Sequence, residues 1–313
     1  MKNRAAISVF LGLVLPAVLA AVPIPADKAI VATVERHIEM PAGQQPMHMP
    51  NAVAVDSLGA VFVSDGADNR IVRFGPKGEF TNIIEGGFSQ PDGIFVDRSD
   101  KLWIADAGNH RVVCTDAGGK VLDTIALPAN KDKAAKPTDV LLTPDGSRMY
   151  VVDNANHRIL IRDTRAGTWT VMGSAGSALG QFQYPFMIAI GEENYVYVTE
   201  AVGGRAQMIS PTDRWAGQVS RWGVELGQVY RPKGIATNSR GQVFISDSTL
   251  CVVQVFSARG LLEGILTDDQ RQPLHFQHPM GMCFDASGKL YVVELKANRV
   301  AVLSLLTKAG GAP

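Results

Sequence analysis

The sequence has few cysteines, no excess of charge of either sign and only one long apolar run. Its 313 residues include three cysteines, and 30 Lys and Arg balance 30 Asp and Glu. An odd number of widely spaced cysteines does not match the disulfide framework of a small secreted domain. We expect buried thiols at Cys114, Cys251 and Cys283, and leave open a pair between Cys251 and Cys283.

The balanced charge argues against a nucleic-acid partner. Domains that bind nucleic acid present a basic surface to the phosphate backbone. Removal of residues 1–20 would take away Lys2 and Arg4 and leave 28 basic against 30 acidic residues, a formal charge of −2. We therefore expect no nucleic acid among the partners.

The long apolar run lies at the N-terminus. It covers residues 5–15, follows a basic start and leads to the small-residue end Val18-Leu19-Ala20, the pattern of a cleavable secretory signal peptide. The alternative is an uncleaved membrane anchor, but Pro16 interrupts the run, which is shorter than the ~20 residues that a span needs. We expect cleavage after Ala20 and a soluble, secreted or periplasmic monomer without a membrane span.

A proline followed by a short apolar segment recurs six times along the chain, at spacings of 41 to 48 residues. The prolines are Pro50, Pro91, Pro137, Pro185, Pro232 and Pro279. About ten residues after each apolar segment, a second one ends in an acidic residue. These acids are Asp65, Asp106, Asp153, Glu200, Asp247 and Glu294. Turn-forming pairs such as Asp145-Gly146 separate the two segments, which indicates β-hairpins.

A third and a more polar fourth strand complete most repeats, so the fold class is predicted as all-β: a six-bladed β-propeller of four-stranded antiparallel blades. The last repeat lacks a fourth strand, and residues 29–38 alternate as a strand does. We expect this N-terminal strand to close the last blade, since closure removes an exposed sheet edge. The predicted organisation is a signal peptide (1–20), a linker (21–28), the propeller (29–306) and a flexible C-terminal tail (307–313).

The loop after the second strand carries Asn109-His110-Arg111 and Asn156-His157-Arg158, and the linker before the fourth repeat reads Gly180-Gln181-Phe182-Gln183-Tyr184-Pro185. On these motifs the chain resembles exported, bacterial-type members of the NHL-repeat family, which implies a six-bladed propeller. The fifth repeat departs, with Thr249-Leu250-Cys251 in the loop. Because the acids and the arginines that follow them recur in most repeats, we predict that they hold the scaffold together rather than a single active site.

Antiparallel topology brings the linker that enters each inner strand to one end of the central channel, where loops on a rigid ring bind ligands. The entering residues differ in every repeat: Met49, Asn51, Gln90, Asp92, Lys136, Asp139, Tyr184, Phe186, Arg231, Lys233, His278 and Met280. Seven of them are the predicted ligand-binding residues: Asn51, Asp92, Asp139, Tyr184, Arg231, Lys233 and His278. Such a mouth suits a small anionic or polar molecule, or a peptide segment.

Two more distant resemblances imply metal chemistry. The architecture is similar to peptidyl-hydroxyglycine amidating lyases, which hold zinc through histidines, and here the candidate ligands are His48, His275 and His278. It is also similar to SMP-30 and gluconolactonase-type propellers, which bind calcium. For calcium the candidates are Asn51, Asp92 and Asp139, unless Asp139 points into the sheet.

The functional prediction is a binding scaffold outside the cytoplasm for a protein, peptide, glycan or small polar ligand. Rim aromatics are the predicted anchors, unless they pack between blades: Trp215, Trp222, Tyr184 and Tyr230. The alternative is a metal-dependent lyase or lactonase-type hydrolase that uses the central channel, with Ca²⁺ or Zn²⁺ as the possible cofactor.

Overall fold

A computed structural model describes residues 24–306 of the protein. The predicted signal peptide (1–20), residues 21–23 of the predicted linker and the predicted tail (307–313) lie outside the described residues. The rest of the linker forms a turn in which the Lys28 amide donates to the Pro25 carbonyl over 2.8 Å.

The described residues form β-strands joined by turns and short 3-10 helices. The first strand is β1 (Ala29–Ile38). The first repeat has β2 (Pro50–Val55), β3 (Val61–Asp65), β4 (Arg70–Phe74) and β5 (Phe80–Ile84). The second has β6 (Pro91–Val96), β7 (Leu102–Asp106), β8 (Arg111–Thr115) and β9 (Val121–Ala126). The third has β10 (Pro137–Leu142), β11 (Arg148–Asp153), β12 (Arg158–Asp163) and β13 (Trp169–Met172).

The fourth repeat has β14 (Pro185–Ile190), β15 (Val196–Glu200), β16 (Arg205–Ile209) and β17 (Trp215–Val219). The fifth has β18 (Pro232–Thr237), β19 (Val243–Asp247), β20 (Val252–Phe256) and β21 (Leu262–Thr267). The last has β22 (Pro279–Phe284), β23 (Leu290–Glu294) and β24 (Arg299–Leu305). The 3-10 helices are Gly66–Asp68, Ala107–Asn109, Asn154–Asn156, Glu192–Asn194 and Leu295–Ala297.

The prediction of six separate four-stranded blades is wrong. The first four repeats each form a four-stranded antiparallel blade, but the remaining strands form one eight-stranded sheet in the order β18-β19-β20-β21-β1-β24-β23-β22. The reason is that β1 pairs on both sides: its residues 29–31 run parallel to β21, and its residues 32–38 run antiparallel to β24. The predicted closing role of β1 beside the last repeat is confirmed.

The innermost strand of each repeat lines a central channel. Each inner strand packs on the next, and β22 packs back on β2, so the inner strands close a ring. Apolar side chains between neighbouring sheets form the core, as with Ile71, Leu102 and Ile104, which are fully buried. The outer strands are more exposed; in β9 only Ile125 is buried. Burial of sheet faces against their neighbours is what stabilises a propeller.

The acid that ends each second strand acts as a clasp for the linker that enters the ring. In the third repeat, Asp153 accepts the Lys136 amide at 2.9 Å and the Arg158 Nε at 2.7 Å. Each of the other five acids likewise accepts the backbone amide of the residue 17 positions before it. An arginine completes the clasp in every repeat except the fifth. The predicted scaffolding role of these acids and arginines is confirmed.

The three cysteines are free thiols in the structure, so the pair left open between Cys251 and Cys283 is not formed. Burial raises the pKa of Cys114 to about 11. Within residues 24–306, no helix has the length and apolar character that a membrane crossing requires.

Candidate functional site

A cavity of about 530 Å³ opens at the end of the channel where the linkers enter. It is lined by five of the seven predicted ligand-binding residues: Asn51, Asp92, Arg231, Lys233 and His278. Five further entering residues of the predicted mouth also line it: Met49, Gln90, Lys136, Phe186 and Met280. We refer to this space as the mouth cavity.

The mouth cavity holds more positive than negative charge. Lys136 and Arg231 are exposed at its edge, while Asp92, Lys233 and His278 are partly buried. Among the described residues, the side chains of these five form no hydrogen bond and no ion pair within 4 Å. Charged groups without partners inside a recess are available to a ligand.

Burial competes with charge attraction at Asp92 and Lys233. Burial raises the pKa of Asp92 to about 7, although Lys233 and Lys136 both act to lower it. Burial, followed by repulsion from Arg231, lowers the pKa of Lys233 to about 8, and Asp92 opposes that change. Both groups therefore change charge near neutral pH, which is common at functional sites.

His278 follows the same pattern as Lys233. Burial and the nearby Lys296, Lys233 and Arg231 lower the pKa of its imidazole. Its backbone φ of 59° also lies in the left-handed region, which favours glycine. Met49, Gln90 and Tyr184, which precede the corresponding prolines, share this conformation. Such backbone costs about 1–3 kcal/mol per residue and is concentrated at functional sites.

Two further features characterise the lining of the mouth cavity. The Lys233 ammonium lies 3.7 Å from the centre of the Phe186 ring, a cation–π contact. The Asn51 Oδ1 atom is buried and accepts no hydrogen bond from the described residues. An unsatisfied acceptor of this kind suits a ligand that carries a hydrogen-bond donor.

Asp139 does not reach the mouth cavity. It lines a second cavity of about 200 Å³ along the inner strands, and its carboxylate accepts the Ile188 and Val140 amides, each at 2.9 Å. Burial raises its pKa to about 8 in spite of these two bonds. Asp139 therefore ties β10 to the neighbouring inner strand β14 and lies outside the mouth cavity.

Tyr184 also lies outside the mouth cavity. It is 48% exposed, and its ring packs edge-on against His157 with 4.5 Å between the ring centres. Its amide donates to the His157 Nδ1 atom over 3.2 Å. These contacts tie the linker of the fourth repeat to the loop of the third.

The two predicted metal-ligand sets are not assembled. Among the described residues, no group of three His, Cys, Asp or Glu side chains is arranged to hold a metal ion. The His48 Nδ1 atom lies 2.9 Å from a carboxylate oxygen of Asp68. Of the three histidines, only His278 lines the mouth cavity. In the calcium set, Asn51 and Asp92 share the mouth cavity with three cations, and Asp139 lies elsewhere. Neither donor set fits its metal.

The predicted aromatic anchors divide into two groups. Trp215 packs against Phe182 with 5.4 Å between ring centres, so it belongs to the packing between repeats. Trp222 is 61% exposed and lies 5.6 Å from the Tyr230 ring. Trp222 thus presents an aromatic ring to solvent, and the half-buried Tyr230 supports it.

Three loop residues of the cavity wall were missed by the sequence analysis: Gly66, Ala67 and Leu295. They lie in the loops between second and third strands, which the topology already places at the same end of the channel. The cation–π contact between Lys233 and Phe186 was also not foreseen. Its signal is that both residues directly follow the prolines of adjacent inner strands.

Comparison with known proteins gives partial matches. The family model for the SMP-30/Gluconolactonase/LRE-like region matches residues 83–138. NHL repeat-containing protein 3 of Mus musculus is 26% identical over 184 residues, or 53% of this chain and 53% of that protein. Peptidyl-glycine alpha-amidating monooxygenase B of Xenopus laevis is 26% identical over 228 residues, or 68% of this chain and 26% of that protein. The chain thus spans about half or less of the length of these relatives.

Solved structures share the fold over most of the chain. A gluconolactonase of Xanthomonas campestris matches with a TM-score of 0.64 and 15% identity, covering 91% of this chain and 97% of that one. Virginiamycin B lyase of Staphylococcus aureus matches with a TM-score of 0.62 and 16% identity, covering 91% and 98%. At these identities the similarity establishes the fold alone.

Proposed function

We propose that this chain, an NHL-repeat and SMP-30-like β-propeller, binds a small organic anion in the mouth cavity. The observation that carries the proposal is the set of unpaired cations Lys136, Arg231 and Lys233 around a single carboxyl group, Asp92. Burial in a recess strengthens the attraction of these cations for an anion relative to open solvent. The buried Asn51 Oδ1 adds an acceptor for a hydroxyl or amide group of the same ligand.

Calorimetric titration with lactate, gluconate and inorganic phosphate tests this proposal. The wild type is expected to bind at least one of these anions. Arg231→Ala combined with Lys233→Met is expected to weaken that binding by at least about tenfold, because each lost charge-assisted bond contributes about 1.5–3 kcal/mol. Lys120→Met is the matched control, since Lys120 is exposed in the turn between β8 and β9, at the opposite end of the sheets. Equal binding by the double variant and the wild type would refute the proposal.

A second candidate is hydrolysis of a lactone. The SMP-30/Gluconolactonase/LRE-like match includes Asp92 and Lys136, and opening of a lactone by water yields a carboxylate that suits the cationic cavity. A carboxyl group with a pKa near 7 is well matched to general-base work at neutral pH. Since neither donor set fits a metal, the reaction is proposed to depend on Asp92 itself.

Hydrolysis of gluconolactone, measured with and without a chelator, tests this second candidate. Asp92→Asn is expected to slow the enzymatic rate by about 10²-fold or more. Asp123→Asn is the control, because Asp123 is exposed on β9. If Asp92→Asn retains the wild-type rate, or if no rate exceeds the uncatalysed one, the hydrolase candidate is rejected.

A larger partner, such as a peptide or glycan, is proposed to contact the exposed Trp222 and the half-buried Tyr230 beside it. Exposed aromatic rings supply apolar area at a small entropic cost on binding. Arrays of peptides and of glycans test the surface. Trp222→Ala is expected to lose retained ligands at an unchanged melting temperature, and retention of the same set would rule out this role.

Export to the periplasm or the exterior is proposed from the basic start and apolar run of residues 1–20. The mass of the chain recovered outside the cytoplasm provides the test. A mass that corresponds to a start at Ala21 supports export, and recovery of only the full-length chain inside cells contradicts it.

A further inference from the structure

Lys233 occupies an unusual position for a lysine. Its side chain points into the mouth cavity, over the Phe186 ring, and its backbone is fixed because the Lys233 carbonyl accepts the Thr199 hydroxyl at 2.8 Å. No described carboxylate lies within 4 Å of its ammonium. A recessed lysine that has no ion-pair partner is not explained by a structural salt bridge.

The surroundings of Lys233 give it a larger share of neutral amine than an exposed lysine has. Burial and the adjacent Arg231 both disfavour the charged form and lower its pKa to about 8. Desolvation and a neighbouring cation are the two means by which proteins convert a lysine into a nucleophile. The neutral amine would face a cavity of about 530 Å³, which has room for a small substrate.

A proton donor lies in the same cavity. Asp92 attracts Lys233 electrostatically, and burial raises the pKa of its carboxyl group to about 7. A fraction of Asp92 is therefore protonated at neutral pH and can supply a proton to an oxygen that develops negative charge. Arg231 and Lys136 at the cavity edge remain available for a carboxylate.

We propose that Lys233 forms an imine with the carbonyl carbon of a small oxo acid whose carboxylate is held by Arg231 and Lys136. The inference rests on the proposed binding of organic anions and names their class. Imine formation requires an amine, a carbonyl group and a proton donor. Lys233 supplies the amine, Asp92 supplies the proton, and the substrate brings the carbonyl group.

The reaction balances without any oxidant or reductant. The Nζ lone pair attacks the carbonyl carbon, a carbon–nitrogen bond forms, and the carbonyl π electrons move to oxygen, which takes a proton from Asp92. The hydroxyl group of this adduct then leaves as water after a second protonation. The nitrogen gives up its two protons in the process, so the products are an imine and one water molecule.

Reductive trapping of the full chain tests the proposal. The protein is incubated with pyruvate or glyoxylate and cyanoborohydride, and intact mass and peptide mapping locate the adduct. One adduct per chain is expected, on the peptide that contains Lys233. Lys233→Arg is expected to lose it, and Asp92→Asn to slow its formation by about tenfold or more. Lys120→Arg is the matched lysine control and is expected to retain it, because Lys120 is exposed and does not line the mouth cavity.

The outcomes separate this inference from the proposed function. Lactate lacks a carbonyl carbon that could form an imine, so it reports anion binding alone. If lactate binds but pyruvate labels Lys233 no faster than exposed lysines, the imine inference is wrong and the binding proposal stands. If neither lactate nor pyruvate interacts, both are wrong. Acetone, which lacks the carboxylate, is expected to label Lys233 at least about tenfold more slowly than pyruvate.

Discussion

Asp92 and Lys233 attract each other electrostatically in the mouth cavity, but burial has the larger effect on both of their pKa values. For Asp92, burial favours the neutral acid, and for Lys233 it favours the neutral amine. Each group would stabilise the charge of the other, yet their pKa values move in the directions that burial dictates. The mouth cavity is therefore most positive when Asp92 is protonated and Lys233 has not yet lost its proton.

Anion affinity at the mouth cavity is expected to fall as pH rises from about 5 to about 9. His278, whose pKa is lowered, loses its charge first, Asp92 gains a negative charge near pH 7, and Lys233 loses its charge near pH 8. Lys136 and Arg231 are the other charged groups that face the cavity. Calorimetry with lactate across this range provides the measurement.

Variants that each remove one titrating side chain provide the controls for this pH profile. Asp92→Asn is expected to abolish the decline near pH 7 and to keep the one near pH 8. His278→Gln is expected to remove only the decline at the lowest pH. A profile that is identical in Asp92→Asn and the wild type would show that Asp92 does not face the bound anion.

The raised pKa of Asp139 predicts how the free energy of unfolding depends on pH. Its pKa is raised to about 8 in the folded protein, against 3.8 for the free group, so the folded state holds the proton more tightly. Unfolding then releases a proton between these two values, and the free energy of unfolding falls as pH rises through this window. Asp139→Asn cannot ionise and is expected to show a shallower pH dependence in urea denaturation.

The amide of Asp139→Asn can accept only one of the two backbone N–H groups that the carboxylate accepts. The variant is therefore expected to lose about 1–3 kcal/mol near pH 5, with a smaller difference from the wild type near pH 9. Asp123→Asn, on the exposed β9 strand, serves as the control. A constant difference between Asp139→Asn and the wild type at all pH values would contradict the raised pKa.

At the scale of single elements, the acid-and-arginine clasp determines where the mouth linkers lie. Asp153 and Asp106 make the same set of contacts: a linker amide, an asparagine side chain and an arginine. The arginines differ in exposure, since the Arg158 side chain is 8% exposed and the Arg111 side chain is 28% exposed. The two clasps therefore form a matched pair.

Asp153→Asn is expected to lower the free energy of unfolding by about 3–5 kcal/mol, because it leaves the buried Arg158 charge uncompensated. Asp106→Asn is expected to cost less, since the Arg111 guanidinium can reach water. Denaturant titration of both variants measures the difference. Equal losses, or a larger loss for Asp106→Asn, would show that arginine burial does not set the strength of the clasp.

The sequence predicts much of this element-scale order because the signals are local and repeated. The prolines begin every inner strand, and the acids end every second strand, as predicted. The direction of Asp139 could not be chosen because it depends on the neighbouring inner strand, whose Ile188 amide it accepts. The recess around Lys233 likewise depends on Phe186 and Arg231 coming together from two repeats, which no single repeat reveals.

At the scale of the whole molecule, the sequence predicts the ring and the closing strand but not the merged sheet. Alternation along β1 indicates a strand, and the missing fourth strand of the last repeat indicates one partner. The second partner, β21, pairs through only three residues of β1, so it leaves no separate signal. The eight-stranded sheet is thus a consequence of long-range register, which the pattern of one segment does not encode.

Removal of residues 24–38 should therefore destabilise the whole ring. The truncated protein loses the buried Ala29, Ala32 and Ile38 side chains and leaves β21 and β24 as open edges. We expect a loss of about 5 kcal/mol or more, because truncation of a buried isoleucine alone costs about 2–5 kcal/mol. Open edges also pair with other chains, so association is expected to rise with concentration.

Thermal melting and size-exclusion chromatography measure both effects, with the full chain expected to be a monomer. A synthetic peptide of residues 28–39 should restore the melting temperature by adding back the missing strand, and a scrambled peptide should not. Val34→Ala is the matched control, because Val34 lies in the same strand but is exposed. If the truncated chain stays monomeric and has the same melting temperature as the full chain, β1 does not hold the ring closed. The first and last repeats must then be joined by their inner strands alone.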